Sequence, residues 1–383
     1  MEAEDTIIML DETAEWPGRK VLLLNSRQAK RPCNRDPWVA ATARAVRSLA
    51  ATGAVFITSV GLNTWELLQH AVNIAGGRQI VLLPPAADRL ETAALIAKDF
   101  KLSADQTAFR FLVPDRGARS QSAKWWWPER DRVAMQMADL LLPISLRPES
   151  GLMKLLTEAA GRGTPINESF RIDYHSGSDR VLYEFEQARL NPIFRQGWDY
   201  LTHWTRSCHG PLPGESSFDF YQDLISSTRY PRAAVDVLRR IVMERRLRAS
   251  GRFLRAGQIA VAFTSQNPVD AIGLMRWRKR YVYYNFEPYG IAIHRDIARE
   301  LGIRPVIYGP AEKYRQLAPG DRPYFQNQGE RKADWLPEFE LRHLGDLDFA
   351  ALPAEAIKLL VYRGEDRDLL PADLPYEVIP LAV

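Results

Sequence analysis

The chain has 383 residues, 46% of them hydrophobic, and a formal net charge of +4. That length exceeds one ordinary core and suggests two domains. No apolar run approaches the roughly 18 residues of a membrane helix, and two cysteines, Cys33 and Cys208, exclude a disulfide framework or a cysteine-rich metal site.

Residues 1–18 read as an acidic N-terminal tail without the shape of a signal peptide, so a reducing cytoplasm is the expected compartment. From Lys20 onward strands and helices alternate. Strands are predicted at 20–26, 54–60, 78–85, 107–114 and 139–146, and helices at 36–53, 63–77, 88–100, 129–138 and 151–163. The first helix carries Asp36 as candidate N-cap, Pro37 in its first turn and Gly53 past its end. Such alternation implies parallel pairing with right-handed crossovers. The expectation is a Rossmann-like α/β domain over residues 19–178, with helices on both faces of its parallel sheet.

Residues 179–383 have a different texture, rich in aromatics and turn residues. A helix is predicted over 231–250. Short strands are predicted at 258–265, 281–286, 289–295, 305–309, 338–345 and 357–364. This is an α+β pattern with a mostly antiparallel sheet. The stretch from Arg229 to Arg255 is arginine-rich and holds two acids, Asp236 and Glu244. It is either a phosphate-binding face or a solvated helix surface.

In an open parallel sheet, ligands bind beyond the carboxyl ends of the strands. Three such ends carry small or polar residues: Asn25-Ser26-Arg27, then Ser59 to Thr64, then Ser145 to Gly151. Each leads into a helix, whose first N–H groups favour anions. Ser26, Arg27, Ser59, Gly61, Asn63, Thr64, Arg147 and Gly151 are therefore the candidate ligand-binding residues, with the arginines suited to phosphate. The same residue types also serve simply as helix caps. Neither a Gly-x-Gly-x-x-Gly pattern nor a Walker lysine is present. Trp125–Trp127 suit base stacking or an interface plug.

The segments "NSRQA", "TSVGLNTWELLQHA" and "GGRQIVLLP" together resemble the core of the DNA-processing protein A (Smf) domain. In that family a Ser-Arg follows the first strand. Ser59 and His70 match its later Ser and His, and Glu66 stands at its Asp. The segment "LPISLRPESGLMKLLTEA" is similar to the one carrying Pro-Gly-Gly in the LOG nucleotide hydrolases. Both belong to the SLOG superfamily, so the resemblance implies a domain that binds a nucleotide-derived ligand or nucleic acid. Val60 and Thr64 replace family glycines, and Glu149-Ser150-Gly151 replaces the Gly-Gly pair, which favours binding or sensing over hydrolysis.

The second half resembles, more weakly, the ADP-ribosyltransferase fold of DarT-like toxins. His203 and Thr205 match its His-x-Thr strand, with Ser265, Tyr289 and Glu340 at its later Ser, Tyr and Glu positions. That likeness implies NAD as cofactor, with His203, Tyr289 and Glu340 catalytic and Thr205, Arg206 and Ser265 gripping the cofactor. A carboxylate would stabilise the charge that develops as the glycosidic bond breaks. The competing expectation for Glu338 and Glu340 is an exposed strand face, paired with Arg342 or other arginines. "DWLPEFELR" also looks like the ending of an uncharacterised family found near phage-defence genes. The whole then reads as a cytoplasmic, homo-oligomeric stress or antiviral defence protein in which a sensing domain controls an NAD-consuming one. The alternative is a non-enzymatic nucleic-acid binder. No metal site and no membrane partner are expected.

Overall fold

A computed structural model describes residues 8–10, 17–113, 123–175, 181–251, 254, 257–278, 283–328 and 338–383. The chain divides into two compact units. One comprises Met1–Ser178 with Gly214–Pro231, the other Asp179–Pro213 with Arg232–Val383.

In the first unit the elements run β1 (Ile8–Leu10), β2 (Lys20–Asn25), α1 (Pro37–Ala50), β3 (Val55–Ser59), α2 (Asn63–Ile74), β4 (Arg78–Leu83), α3 (Arg89–Phe100), β5 (Thr107–Phe111), α4 (Ala123–Met137), β6 (Leu140–Ser145) and α5 (Gly151–Gly161). The sheet order is β1-β5-β4-β3-β2-β6, with every pairing parallel. β2, β3, β4 and β6 are apolar on both faces because helices cover both. Leu22, Leu24, Val55 and Ile57 pack with Ala134 and Met135 of α4 and Leu156 of α5. Val21, Leu23 and Phe56 pack with Ala41 and Val46 of α1 and Leu68 and Val72 of α2. Residues 8–10, read as part of a tail, pair with β5 as an edge strand. Asp36 holds the N-cap position of α1, but its carboxylate accepts from Cys33 N–H at 2.6 Å and makes no cap hydrogen bond.

From β2 the chain steps across to β3, β4 and β5, and then returns to place β6 on the other side of β2. The direction reverses between β2 and β6, which is where open α/β sheets hold ligands.

Residues 214–231 were expected in the second domain but belong to the first unit. They form α6 (Ser217–Ser226), whose N-cap Ser216 Oγ accepts from Asp219 N–H. Phe220, Tyr221 and Leu224 join Trp38, Val39, Leu67, Phe100 and Tyr230 in one buried cluster. Each such side chain stabilises by roughly 1.5–3 kcal/mol through area removed from water.

The second unit is built on a seven-stranded sheet. Its order is Arg304–Pro305, Glu340–Leu344, Ala260–Thr264, Tyr200–Trp204, Gly290–His294, Ile357–Arg363 and Glu377–Ala382. All pairings are antiparallel except the last. Helix α7 (Ala234–Glu244) buries Ala234, Val235, Leu238 and Val242 against one face of it. Of the strand expected at 281–286, Tyr283–Tyr284 pairs with Trp277–Arg278 in a separate ribbon, and residues 281–282 lie outside the described residues. Glu377–Ala382 is a strand the sequence did not suggest, because it contains Pro380. An edge position tolerates the missing N–H.

Candidate functional site

The carboxyl ends of β2, β3 and β6 lie side by side, and their loops are bonded to one another. Ser26 N–H donates to Ser145 O at 2.8 Å, and Ser26 Oγ accepts from Arg147 N–H at 2.9 Å. Asn63 Nδ2 donates to Ala29 O at 2.9 Å, which ties the β3–α2 loop to the β2–α1 loop. Tyr174 adds a hydroxyl bond to Arg27 O at 3.0 Å.

These bonds sort the eight predicted ligand residues into two groups. Ser26, Ser59 and Thr64 are buried, and Ser59 Oγ donates to Leu82 O at 2.7 Å. With half-buried Asn63 they form a frame. Arg27, Gly61, Arg147 and Gly151 are exposed on that edge. The sequence reading missed how basic the first loop is: Arg27, Lys30, Arg31 and Arg35 occur in residues 26–35 without an acid. The buried Gln28 Nε2 there has no hydrogen-bond partner among the described residues.

Gly61 has φ +92°, a conformation that favours glycine. Its N–H, predicted as an anion donor, already donates to Glu66 Oε1 at 2.7 Å. The other oxygen, Glu66 Oε2, accepts from Tyr221 O–H of α6 at 2.6 Å. A Cβ on Gly61 would stand 3.6 Å from Trp127 Nε1, so one indole of the tryptophan run borders this loop. The side chain of Trp125 lies outside the described residues. Arg130, 3% exposed, lies 4.6 Å over the Trp65 ring, donates to Val60 O at 3.3 Å and pairs with Asp131 at 2.9 Å. Burial pushes the Asp131 carboxyl up and the Arg130 guanidinium down, while their mutual attraction opposes both shifts.

His70 is not in this crevice. It is fully buried between α2 and α6, 4.9 Å from the Phe218 ring and 6.2 Å from that of Tyr221. Burial lowers its pKa to about 4, against weaker opposing effects of Gln222 and Asp219.

In the second unit the predicted catalytic residues separate. Thr202 is paired with Thr264, and Thr264 with Glu340, so these three share one sheet face. His203, the next residue along, projects to the other face. Its Nδ1 donates to Ala262 O at 2.7 Å, which fixes the tautomer because a carbonyl can only accept. Burial lowers its pKa. Tyr289 lies in the core cluster that includes Leu201 and Phe263, and its hydroxyl donates to Asp366 at 3.1 Å. Glu340 accepts from Arg342 Nε at 2.7 Å, the pairing of the competing expectation, but Arg342 is buried where that expectation had an exposed face. Strand register therefore sets Glu340 on the sheet face opposite His203.

The proposed cofactor residues also have structural engagements. Thr205 Oγ1 lies 2.9 Å from Ala234 O and 3.0 Å from Tyr289 O. Arg206 covers the Tyr283 ring at 5.0 Å. Ser265 N–H donates to Phe339 O at 3.2 Å. Glu338, just before the strand that Glu340 opens, has its pKa raised to about 7 by burial and by the charge of Glu340, against Arg278 and Arg206. In the arginine-rich stretch, Arg240 and Arg248 share Glu244, and Arg246 pairs with Asp348. Arg239 and Arg245 are exposed.

Among the described residues there is no group of three or more His, Cys, Asp or Glu placed to hold a metal, and no helix is long and apolar enough to cross a membrane.

No family model and no curated protein matches the chain. Among solved structures, it is similar to the molybdenum cofactor carrier protein of Chlamydomonas reinhardtii at 12% identity and a TM-score of 0.27, over 39% of this chain and 75% of that one. It is similar to DNA processing protein A of Helicobacter pylori, described for its single-stranded DNA binding mode, at 18% identity and 0.28, over 39% and 63%. The Streptococcus pneumoniae DNA processing protein A matches at 15% identity and 0.28, over 39% and 49%. The chain thus spans less than two thirds of either DNA processing protein. At these identities none of the three bears on what this chain binds.

Proposed function

We propose that the first unit binds a phosphate-bearing ligand, a nucleotide or a nucleic-acid strand, at the sheet edge where β2 meets β6. The observation that carries this is the division of labour in the three loops. Their buried polar groups lock the loops together, while Arg27, Arg35 and Arg147 are left exposed at that edge. A preformed frame lowers the entropy lost on binding, and guanidinium groups suit phosphate oxygens.

The NAD-consuming reading of the second unit requires His203, Tyr289 and Glu340 together. With Glu340 on the opposite sheet face, the geometry favours binding over NAD cleavage.

The test is fluorescence anisotropy of a labelled oligodeoxythymidylate, with AMP as competitor, across roughly 50–200 mM salt. Affinity is expected to fall linearly on logarithmic axes. The double variant Arg27→Glu, Arg147→Glu should weaken binding at least about tenfold and flatten the slope by about two. Absence of binding at low salt, or binding indifferent to the double reversal, would refute the assignment. If Arg239→Glu with Arg245→Glu does the damage instead, the contact face lies in the second unit.

A further inference from the structure

We infer that residues 214–231 form a ligand-responsive relay, with Glu66 as its switching group; this rests on the crevice reading above. The segment touches two of the three crevice loops. Tyr221 O–H holds Glu66, and Glu66 in turn occupies Gly61 N–H. Asn34 N–H donates to Ser227 O at 3.0 Å, and Cys33 Sγ lies 3.5 Å from Thr228 O, both beyond the helix end. The start of α6 is anchored differently: Ser217 N–H donates to Asp99 at 2.9 Å, and Lys101 pairs with Asp219 at 2.7 Å. Crevice occupancy thus reaches α6 at Tyr221, in mid-helix, and at the residues just past its end.

A phosphate oxygen and the Glu66 carboxylate cannot both accept from Gly61 N–H, because two anions at that spacing repel strongly. An anion seated there displaces Glu66 Oε1 and turns the whole carboxylate away from Tyr221. Arg130, which senses the Glu66 charge, keeps a positive charge beside whichever anion is present. Tyr221 then loses its acceptor in a buried setting, which weakens the hold on α6. Both ends of the segment run directly into the second unit, at Pro213 and Arg232. Loosening α6 is therefore felt along the chain by that unit, and by linkage anything that shifts α6 alters crevice affinity.

The experiment is hydrogen exchange of residues 217–226 in the full chain, with and without a 5′-phosphorylated oligodeoxythymidylate. In the wild type the probe should speed exchange of α6. Tyr221→Phe keeps the ring and removes the hydroxyl. It should speed α6 exchange about tenfold without probe, and bind the probe several-fold more tightly. Glu66→Gln should also bind more tightly and should abolish the probe's effect on α6. Probe binding that leaves α6 exchange unchanged overturns the relay while sparing the crevice. Tyr221→Phe with wild-type exchange and wild-type affinity overturns it too. A probe that does not bind the wild type removes the crevice reading and the relay with it.

Discussion

Lowering the pH from about 7 to 5 should destabilise the first unit through His70. The imidazole is fully buried, and Gln222 lies beside it without a well-formed hydrogen bond to either nitrogen. Its pKa falls from 6.5 to about 4 on folding. A depressed folded-state pKa means that the unfolded chain binds the extra proton first, so stability is full above about pH 6.5 and declines as pH falls. Linkage between those two values gives a loss of about 2 kcal/mol at pH 5 and about 3 kcal/mol near pH 4. The assay is urea unfolding at several pH values, comparing wild type with His70→Leu, which keeps the bulk against Phe218 and Tyr221 but cannot titrate. The wild type should lose about 2 kcal/mol more than the variant between pH 7 and 5. Parallel pH profiles for the two proteins would refute a buried neutral imidazole at the α2–α6 contact.

Glu287 is wholly buried and accepts from Tyr183 O–H at 2.9 Å, Ser207 Oγ–H at 3.0 Å and Ser207 N–H. Glu287→Ala removes that acceptor from three donors and should cost roughly 3 kcal/mol or more, measured by denaturant unfolding of the second unit. Gly290→Ala places a methyl 2.8 Å from His203 O and 3.0 Å from the Trp204 ring in mid-sheet, so a loss of about 1–3 kcal/mol is expected in the same assay. Glu338 holds its proton up to about pH 7 in the folded chain, against 4.5 for an ordinary glutamate. Its contribution is therefore full below pH 4.5 and lost as pH rises towards 7, opposite in sign to that of His70. Glu338→Gln should flatten that limb of the profile, and carboxyl infrared titration should show one acid with a midpoint near 7 disappearing.

The parallel sheet was legible because its central strands are continuous apolar runs closed by polar turns, a pattern that only burial on both faces explains. The strand ends were legible as polar, but not as frame versus contact. Ser26 and Arg27 are adjacent in sequence, and only the pairing of β2 with β6 buries one and exposes the other. The seat of Glu66 on Gly61 N–H was likewise hidden, since a carboxylate at that spacing reads equally as a helix-surface charge. In the second unit, alternation along each strand was visible while register between strands was not. A shift of one residue would have put Glu340 on the face of His203. No helix was predicted over residues 217–226, and the partners of that segment's buried Phe220, Tyr221 and Leu224 are far away in sequence. Contiguity in sequence therefore assigned it to the wrong unit.

The threading of residues 214–231 also sets an order of events during synthesis. When residue 178 has been made, the first unit still lacks the helix that covers Leu67, His70 and Phe100. It waits while residues 179–231 are added at about 5–20 per second, with part of the second unit emerging in between. During that interval the exposed cluster is a place for chaperones to bind, or for aggregation to start. A gene cut after codon 178 would freeze the chain in that state. The two units therefore cannot be exchanged between proteins by a single crossover, since any recombination that separates them must also decide which partner keeps α6.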